Sequence, residues 1–281
     1  MASWKIDEIP AQCIALRRRS DRWSKFVSQP AYKTLPKLER FDAVDGQTLD
    51  IQNDPRILVS TKRNILNKQR RSHEELDSKG GVGCALSHIG IWQMIVQRQI
   101  PMMLIIEDDA KIPNNFVEKV NSLIAASPTL QNPASWDMWN LATSPLYAKP
   151  VANDPVVVEL DAFVGLIAYV ITLQGATKLL EEVFPIHCHI DHYMVILKQV
   201  RPMRYIATPS FTFYQRGVDK SDITEKAKCL ICNIPTDYDS THTIISKNDI
   251  TTLEAIKYMF VLTTAFGAGY ILYKRITDRA S

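Results

Sequence analysis

The stretch Leu104-Ile105-Ile106-Glu107-Asp108-Asp109 constrains the fold of this chain most, because an apolar strand signal over residues 101–106 runs straight into three consecutive carboxylates. In an open α/β sheet, ligands bind in the crevice outside the carboxyl ends of the strands, where such residues stand. Three adjacent carboxylates repel one another, and a cation or a hydrogen-bond network must offset that cost. The alternating pair Glu107 and Asp109 suits a hard divalent ion carrying the phosphates of a nucleotide. A solvated acidic turn that caps the next helix is the plainer alternative, since a short apolar run followed by polar residues is suggestive and no more.

The rest of the chain alternates strand and helix signals. Residues 13–16 form a short apolar run that ends in Arg17-Arg18-Arg19-Ser20-Asp21-Arg22-Trp23. This reads as a strand, a polar turn and a helix that Ser20 or Asp21 can cap. Residues 41–46 read as a second strand, stopped by the Asp45-Gly46 turn. Residues 49–78 are polar and irregular, and a long loop is expected there. Gly80-Gly81-Val82-Gly83 leads into residues 84–96, whose apolar positions recur at helical spacing. A helix over 115–126 follows the acidic strand. Strands are then expected within 136–141, 156–160 and 165–171, and a helix over 172–184. This order argues for the α/β class with a mixed, mostly parallel sheet.

The chain has 281 residues, 46% of them hydrophobic and 22% charged, enough to bury a substantial core. A net charge of +3 is too small to argue for nucleic acid, and none is expected as a partner. Residues 56–71 and the run Arg17-Arg18-Arg19 are nevertheless basic enough to attract a polyanion, unless they are simply solvated faces. Cys13, Cys84, Cys188, Cys229 and Cys232 are scattered and form no disulfide framework. The lone Cys229-x-x-Cys232 spacing lacks the second pair of a zinc site. With no signal-peptide core near Met1, a reducing compartment is expected.

Residues 226–252 read as a polar linker, and residues 258–273 carry no charge between Lys257 and Lys274-Arg275. As a helix, that run would span about 24 Å against a hydrocarbon core of ~30 Å, a shortfall that flanking lysines and tyrosines can make up. A buried core helix of the same length is the alternative. The expected organisation is a catalytic domain at 1–225, the linker at 226–252, and a hydrophobic transmembrane helix with a short basic tail at 253–281. The protein is then membrane-associated, tail-anchored and single-pass, with its catalytic domain in the cytosol.

Several pieces carry a family resemblance. In order, they are residues 16–23, Phe41-Asp42-Ala43-Val44-Asp45-Gly46, Gly83-Cys84-Ala85-Leu86-Ser87-His88, Ile106-Glu107-Asp108-Asp109-Ala110 and Trp136-Asp137. Residues 168–176, Asp191, and Gln215 with Ser221-Asp222-Ile223 follow. Together they resemble glycosyltransferase family 25, the lipopolysaccharide-biosynthesis and procollagen galactosyltransferase-like group, which large DNA viruses also carry. Each piece is weak alone and the ordered set is strong. One departure is Ala15-Leu16-Arg17, where members commonly carry Asn-Leu-Asp.

The resemblance implies a GT-A-like nucleotide-sugar-binding fold. It implies a nucleotide-sugar donor, usually a UDP-sugar, and a divalent manganese or magnesium ion. It also implies transfer of a hexose, with inversion, to a hydroxyl of a glycan or protein. In such a site Asp109 would bind the metal, with Glu107 and Gln215 as further ligands. Glu107 and Asp108 would otherwise serve the donor, Glu107 through the ribose or a metal-bound water. Inversion needs a base for the acceptor hydroxyl, and Asp191 is the candidate, although an aspartate ahead of an apolar run is also a common helix cap. Arg18 and Arg22 match phosphate oxygens with their guanidinium forks. His88 either approaches the sugar diphosphate or packs in the core. His187, His189 and His192 match no recurring zinc spacing. The rival functions are a nucleotide-sugar hydrolase or pyrophosphorylase using the same acidic site, and a non-catalytic sugar-binding or scaffold protein on the same fold.

Overall fold

The computed structural model describes residues 4–70, 75–142, 144–209, 214–215, 223 and 228–229. The chain begins β1 (Ala11–Ala15), α1 (Ser20–Val27), β2 (Leu38–Asp42), α2 (Val59–Asn67), β3 (Gln69–Arg70) and α3 (Lys79–Gln97). The acidic motif ends β4 (Met102–Glu107), and β5 (Ala110–Lys111), α4 (Phe116–Ala126) and α5 (Pro128–Gln131) follow it. Next come β6 (Met138–Asn140), β7 (Ser144–Val151), β8 (Asp154–Val164), β9 (Ala168–Thr172), α6 (Leu173–Leu180), α7 (Ile190–Val200) and β10 (Tyr205–Ala207). Two short strands close the described chain, β11 (Tyr214–Gln215) and β12 (Lys228–Cys229).

The main sheet has the order β2-β1-β4-β9-β6-β10-β8-β7. β1 pairs in parallel with β2 and with β4, and β10 in parallel with β6. β9 runs antiparallel between β4 and β6, and the β7–β8 hairpin closes the far edge. The sheet is mixed, but not mostly parallel as expected: three of its pairings are parallel and four antiparallel, because β9 and the β7–β8 hairpin run against their neighbours. β4 alternates across it: Ile105 faces the apolar layer that contains α3, while Leu104 and Ile106 face the layer that contains Phe26, Phe116 and Trp139. All three are fully buried, and each contributes on the order of 1.5–3 kcal/mol of hydrophobic stabilisation.

Residues 49–78 correct the expectation of a long loop, because α2 and β3 lie within them. The buried face of α2 is partly polar: Thr61 donates to the His187 carbonyl at 3.3 Å and Asn64 to Glu75 at 3.0 Å. β12, inside the segment read as a linker, pairs in parallel with β3. The membrane-associated, tail-anchored location is also corrected. Among the described residues no helix is long and apolar enough to cross a membrane, and the run 258–273 lies outside the described residues. The longest described helix, α3, packs inside the domain, and Ser87, His88 and Gln93 interrupt its apolar character.

A buried carboxylate joins the β7–β8 hairpin to the corner between α4 and α5. Asp154 accepts hydrogen bonds from Ser127 Oγ at 2.6 Å, Thr129 N at 2.9 Å and Val156 N at 3.1 Å. Burial pushes its pKa up, but these bonds outweigh burial and hold it below the ordinary value. A group with a lowered folded pKa contributes stability above its unfolded pKa and loses it as the pH falls through the folded one. Asp154→Asn should therefore flatten the acid limb of a stability–pH curve below about pH 4, and Asp154→Ala should cost about 2–4 kcal/mol at neutral pH. Urea unfolding of each variant across that range checks both; parallel curves for wild type and Asp154→Asn would rule out the role.

Candidate functional site

The carboxyl ends of β1, β2 and β4 open into one cleft with a cavity volume of about 70 Å³. Ile14 and Leu16 line it from the end of β1 and just past it, Val44 and Asp45 from beyond β2, and Glu107 and Asp108 from the end of β4. Arg18 and Arg22 reach it from the turn after β1 and from α1, and Cys84, Ser87 and His88 from α3. The parallel strands create this crevice by ending side by side, as open α/β sheets do.

The wall formed by α3 is set by backbone contact. Ser78 caps the helix, accepting the Gly81 N–H at 3.0 Å. A Cβ on Gly83 would lie 2.6 Å from the Val44 carbonyl oxygen, and one on Gly46 would collide with the Lys79 carbonyl. Ser87 closes the same seam by accepting the Val44 N–H at 2.9 Å.

The acidic triplet is tied down rather than loosely solvated. The Glu107 N–H donates to the Ile167 carbonyl at 2.8 Å and the Asp108 N–H to that of Ile14 at 3.1 Å. Arg22 Nη2 forms an ion pair with Asp108 and lies 3.2 Å from Asp109 Oδ2. Burial pushes the Asp108 pKa up to about 6; Arg22 pulls it down, and Asp109 and Glu107 add to the rise. The guanidinium expected at a nucleotide phosphate thus bridges two of the three carboxylates. Arg18 lies at the cleft with Asp45 at 2.8 Å. In the basic run, Arg17 pairs with Asp42 and Arg19 with Asp21, so each arginine there faces a carboxylate.

His88, on α3, is fully buried against the sheet face formed by β4 and β9. Its Nε2 lies 3.3 Å from Glu107 Oε1, and its Nδ1 lies 2.8 Å from the Tyr169 hydroxyl, which also accepts the Trp92 indole N–H at 3.0 Å. The fold brings these groups together by register. Ile105 pairs with Tyr169 across β4 and β9, so Tyr169 and Glu107 share the sheet face that α3 covers. His88 and Trp92, four residues apart, share the helix face that meets it. Cys84 comes from the preceding turn, and its sulfur, a His88 nitrogen and a Glu107 oxygen lie within 4.8 Å of one another, close enough to hold a metal ion. Burial, with Glu107, Asp191 and Asp109 behind it, pushes the Cys84 thiol pKa up and keeps it protonated.

Not every expected site residue lines the cleft. Asp191 opens α7, but His189 occupies the cap position. Its Oδ2 accepts the Gly165 N–H at 2.8 Å and its Oδ1 the His192 N–H at 2.9 Å. It therefore clamps the β8–β9 turn, where Gly165 takes a φ of +89°. Asp109 lies past the strand end with its side chain 13% exposed. Gln215 pairs with Ala110 in the β11–β5 ladder, so the backbone runs beside the acidic motif. Trp136-Asp137 is structural: Asp137 holds Lys178 at 2.8 Å and the Arg204 N–H at 2.7 Å. Sequence reasoning did not single out Trp92 and Tyr169 as parts of the site, although the i, i+4 spacing from His88 and the position of Tyr169 in a strand were readable.

A mixed α/β domain that gathers carboxylates and arginines in a cleft at its parallel strand ends defines an α/β protein with a polar ligand site. The model of glycosyltransferase family 25 (LPS biosynthesis protein) matches residues 9–194, more than half of the chain, and the chain belongs to that family. It is 26% identical over 196 residues to procollagen galactosyltransferase 2 of Homo sapiens, covering 68% of this chain and 30% of that protein. It is 28% identical over 195 residues to inactive glycosyltransferase 25 family member 3 of Mus musculus, covering 67% and 32%. The match therefore spans about a third of the length of these relatives. A solved UDP-glucose pyrophosphorylase complexed with UDP-glucose aligns with a TM-score of 0.38 and 10% identity, over 74% of this chain and 92% of that one. Family membership accounts for the ordered motifs. Since relatives include a named galactosyltransferase and a named inactive member, turnover rests on this chain's own residues.

Proposed function

We propose that this protein is a hexosyltransferase that moves a sugar from a nucleotide-sugar donor, a UDP-sugar in the first instance, to a hydroxyl of a glycan or protein with inversion. The observation that carries this reading is the cleft itself, which Glu107, Asp108, Arg18 and Arg22 line together at the carboxyl ends of β1, β2 and β4. Such an arrangement receives a diphosphate with its counter-charge and a polar sugar beside it.

Glu107 and Asp109, with Gln215 on the neighbouring backbone, offer the oxygen donors that manganese or magnesium takes. When bound, such an ion would act as a Lewis acid and neutralise the departing nucleoside diphosphate. Arg22 carries charge of the same sign to Asp108 and Asp109, so guanidinium and cation divide these carboxylates between them. Asp191 is the proposed base, taking the proton from the acceptor hydroxyl as the leaving group departs from the opposite side.

Transfer of radiolabelled sugar to an acceptor, compared with simple release of sugar and with formation of a sugar nucleotide, tests the reading against its enzymatic rivals. Thermal-shift screening of nucleotide sugars with and without manganese tests it against a non-catalytic role. Asp191→Asn keeps a carbonyl oxygen for the Gly165 N–H but turns its amide toward the His192 N–H, so the turn should survive with a modest loss of stability. Turnover should fall by roughly 10²–10⁴-fold with donor affinity preserved, the usual scale for loss of a general base. Activity close to wild type in a folded Asp191→Asn protein would leave the residue a purely structural clamp.

A further inference from the structure

We infer that Trp92, Tyr169 and His88 form a one-way hydrogen-bond chain that locks His88 as its neutral Nε2–H tautomer and fixes the Glu107 carboxylate at the donor cleft. All three are positioning residues. The positioning role rests on the donor-binding reading above, whereas the tautomer does not.

The direction follows from what each group can do. An indole N–H only donates, so at 3.0 Å Trp92 occupies a lone pair of the Tyr169 oxygen. Tyr169 is fully buried, and a buried hydroxyl proton left without an acceptor is costly. The His88 Nδ1, 2.8 Å away, is that acceptor. A neutral imidazole carries one proton, which the chain thus directs to Nε2, facing Glu107 Oε1 at 3.3 Å. Ring contacts hold the imidazole in this pose, its centroid lying 5.7 Å from that of Tyr169 and 6.4 Å from that of Trp92. Glu107 thereby has one oxygen engaged from behind and the other available to the cleft it lines.

The same geometry discriminates against the rival use of Cys84, His88 and Glu107 as a soft-metal site. A metal on Nε2 needs that nitrogen's lone pair, which moves the proton to Nδ1 and leaves the buried Tyr169 hydroxyl proton with no acceptor in the chain. The network has a consistent arrangement of protons only with Nε2 protonated.

Nitrogen NMR of the full-length protein labelled in histidine, recorded at neutral pH without ligand, reads the tautomer directly. The expected result is a single neutral Nε2–H form for His88, with mixed tautomers in Tyr169→Phe. An Nδ1–H form in the wild type would overturn the chain. So would a thiolate-to-cobalt absorption band on titration with cobalt(II) that disappears in Cys84→Ala. Tyr169→Phe should also weaken binding of a UDP-sugar about tenfold, the size of one hydrogen bond, with turnover at saturating donor largely kept. Unchanged affinity alongside the expected tautomer shift would overturn the positioning role. A wild-type protein that binds no nucleotide sugar would instead remove the function proposed above, and the ligand-free spectrum would still decide the tautomer.

Discussion

Asp109→Ala is expected to lower sugar transfer by about 10³-fold or more and to erase any manganese-dependent thermal shift, with the domain still folded. The magnitude follows from the several kcal/mol that a Lewis acid contributes to a departing oxyanion, at 1.36 kcal/mol per tenfold in rate. The fold should survive because Asp109 lies beyond β4, outside both apolar layers. Arg22 retains Asp108 as an ion-pair partner when the second carboxylate is removed. Far-ultraviolet circular dichroism, the manganese titration and radiolabel transfer on one preparation separate the possibilities. Turnover within tenfold of wild type would remove Asp109 from the metal assignment.

The largest expected loss of stability lies elsewhere, at Asp137. This carboxylate is 2% exposed and is engaged by Lys178 Nζ at 2.8 and 3.0 Å and by the Arg204 N–H at 2.7 Å. Lys178 in turn donates to the Pro202 carbonyl at 3.0 Å, so one ion pair joins β6, α6 and the approach to β10. Breaking a buried pair by removing one partner leaves an uncompensated charge and costs about 3–5 kcal/mol. Against a total of roughly 5–15 kcal/mol for a domain, Asp137→Ala should unfold a large share of the protein at modest urea concentrations. Replacing both partners, as Asp137→Leu with Lys178→Met, should recover much of the loss because no charge is then stranded. A single-variant loss below 1 kcal/mol in urea unfolding would show that water or another group compensates Lys178.

The two variants also mark what was legible in the sequence. Asp109 and its neighbours announced themselves, since three carboxylates after an apolar strand leave few architectures open. β1, α3, β4 and α4 were readable for a similar reason, each carrying apolar residues at its own period. Asp137 gave no such signal. In sequence it looked like part of a functional motif, and only the partners Lys178 and Arg204, 41 and 67 positions away, make it structural. α2 was missed because its buried face uses Thr61 and Asn64, which read as polar loop. Tyr169 lay inside the 168–176 piece of the resemblance but received no role, because the value of its hydroxyl depends on His88, 81 positions earlier. Asp191 was read as the candidate base with a helix cap as the alternative, and its contact with the Gly165 N–H, 26 positions away, was not foreseen. In each case the missing information was a partner distant in sequence.

The seat of α3 on residues 44–46 limits how this cleft can diversify. Where Gly83 meets the Val44 carbonyl and Gly46 meets Lys79, main chain rests on main chain. At those two contacts there is no side chain whose size could be traded, although Cys84, Ser87 and His88 line the cleft beside them. Any enlargement there would have to move the whole helix, and with it His88, Trp92 and the support of Glu107. Latitude for a new donor therefore belongs to Leu16 and Arg18, which line the cleft from the turn after β1 and take no part in the seam.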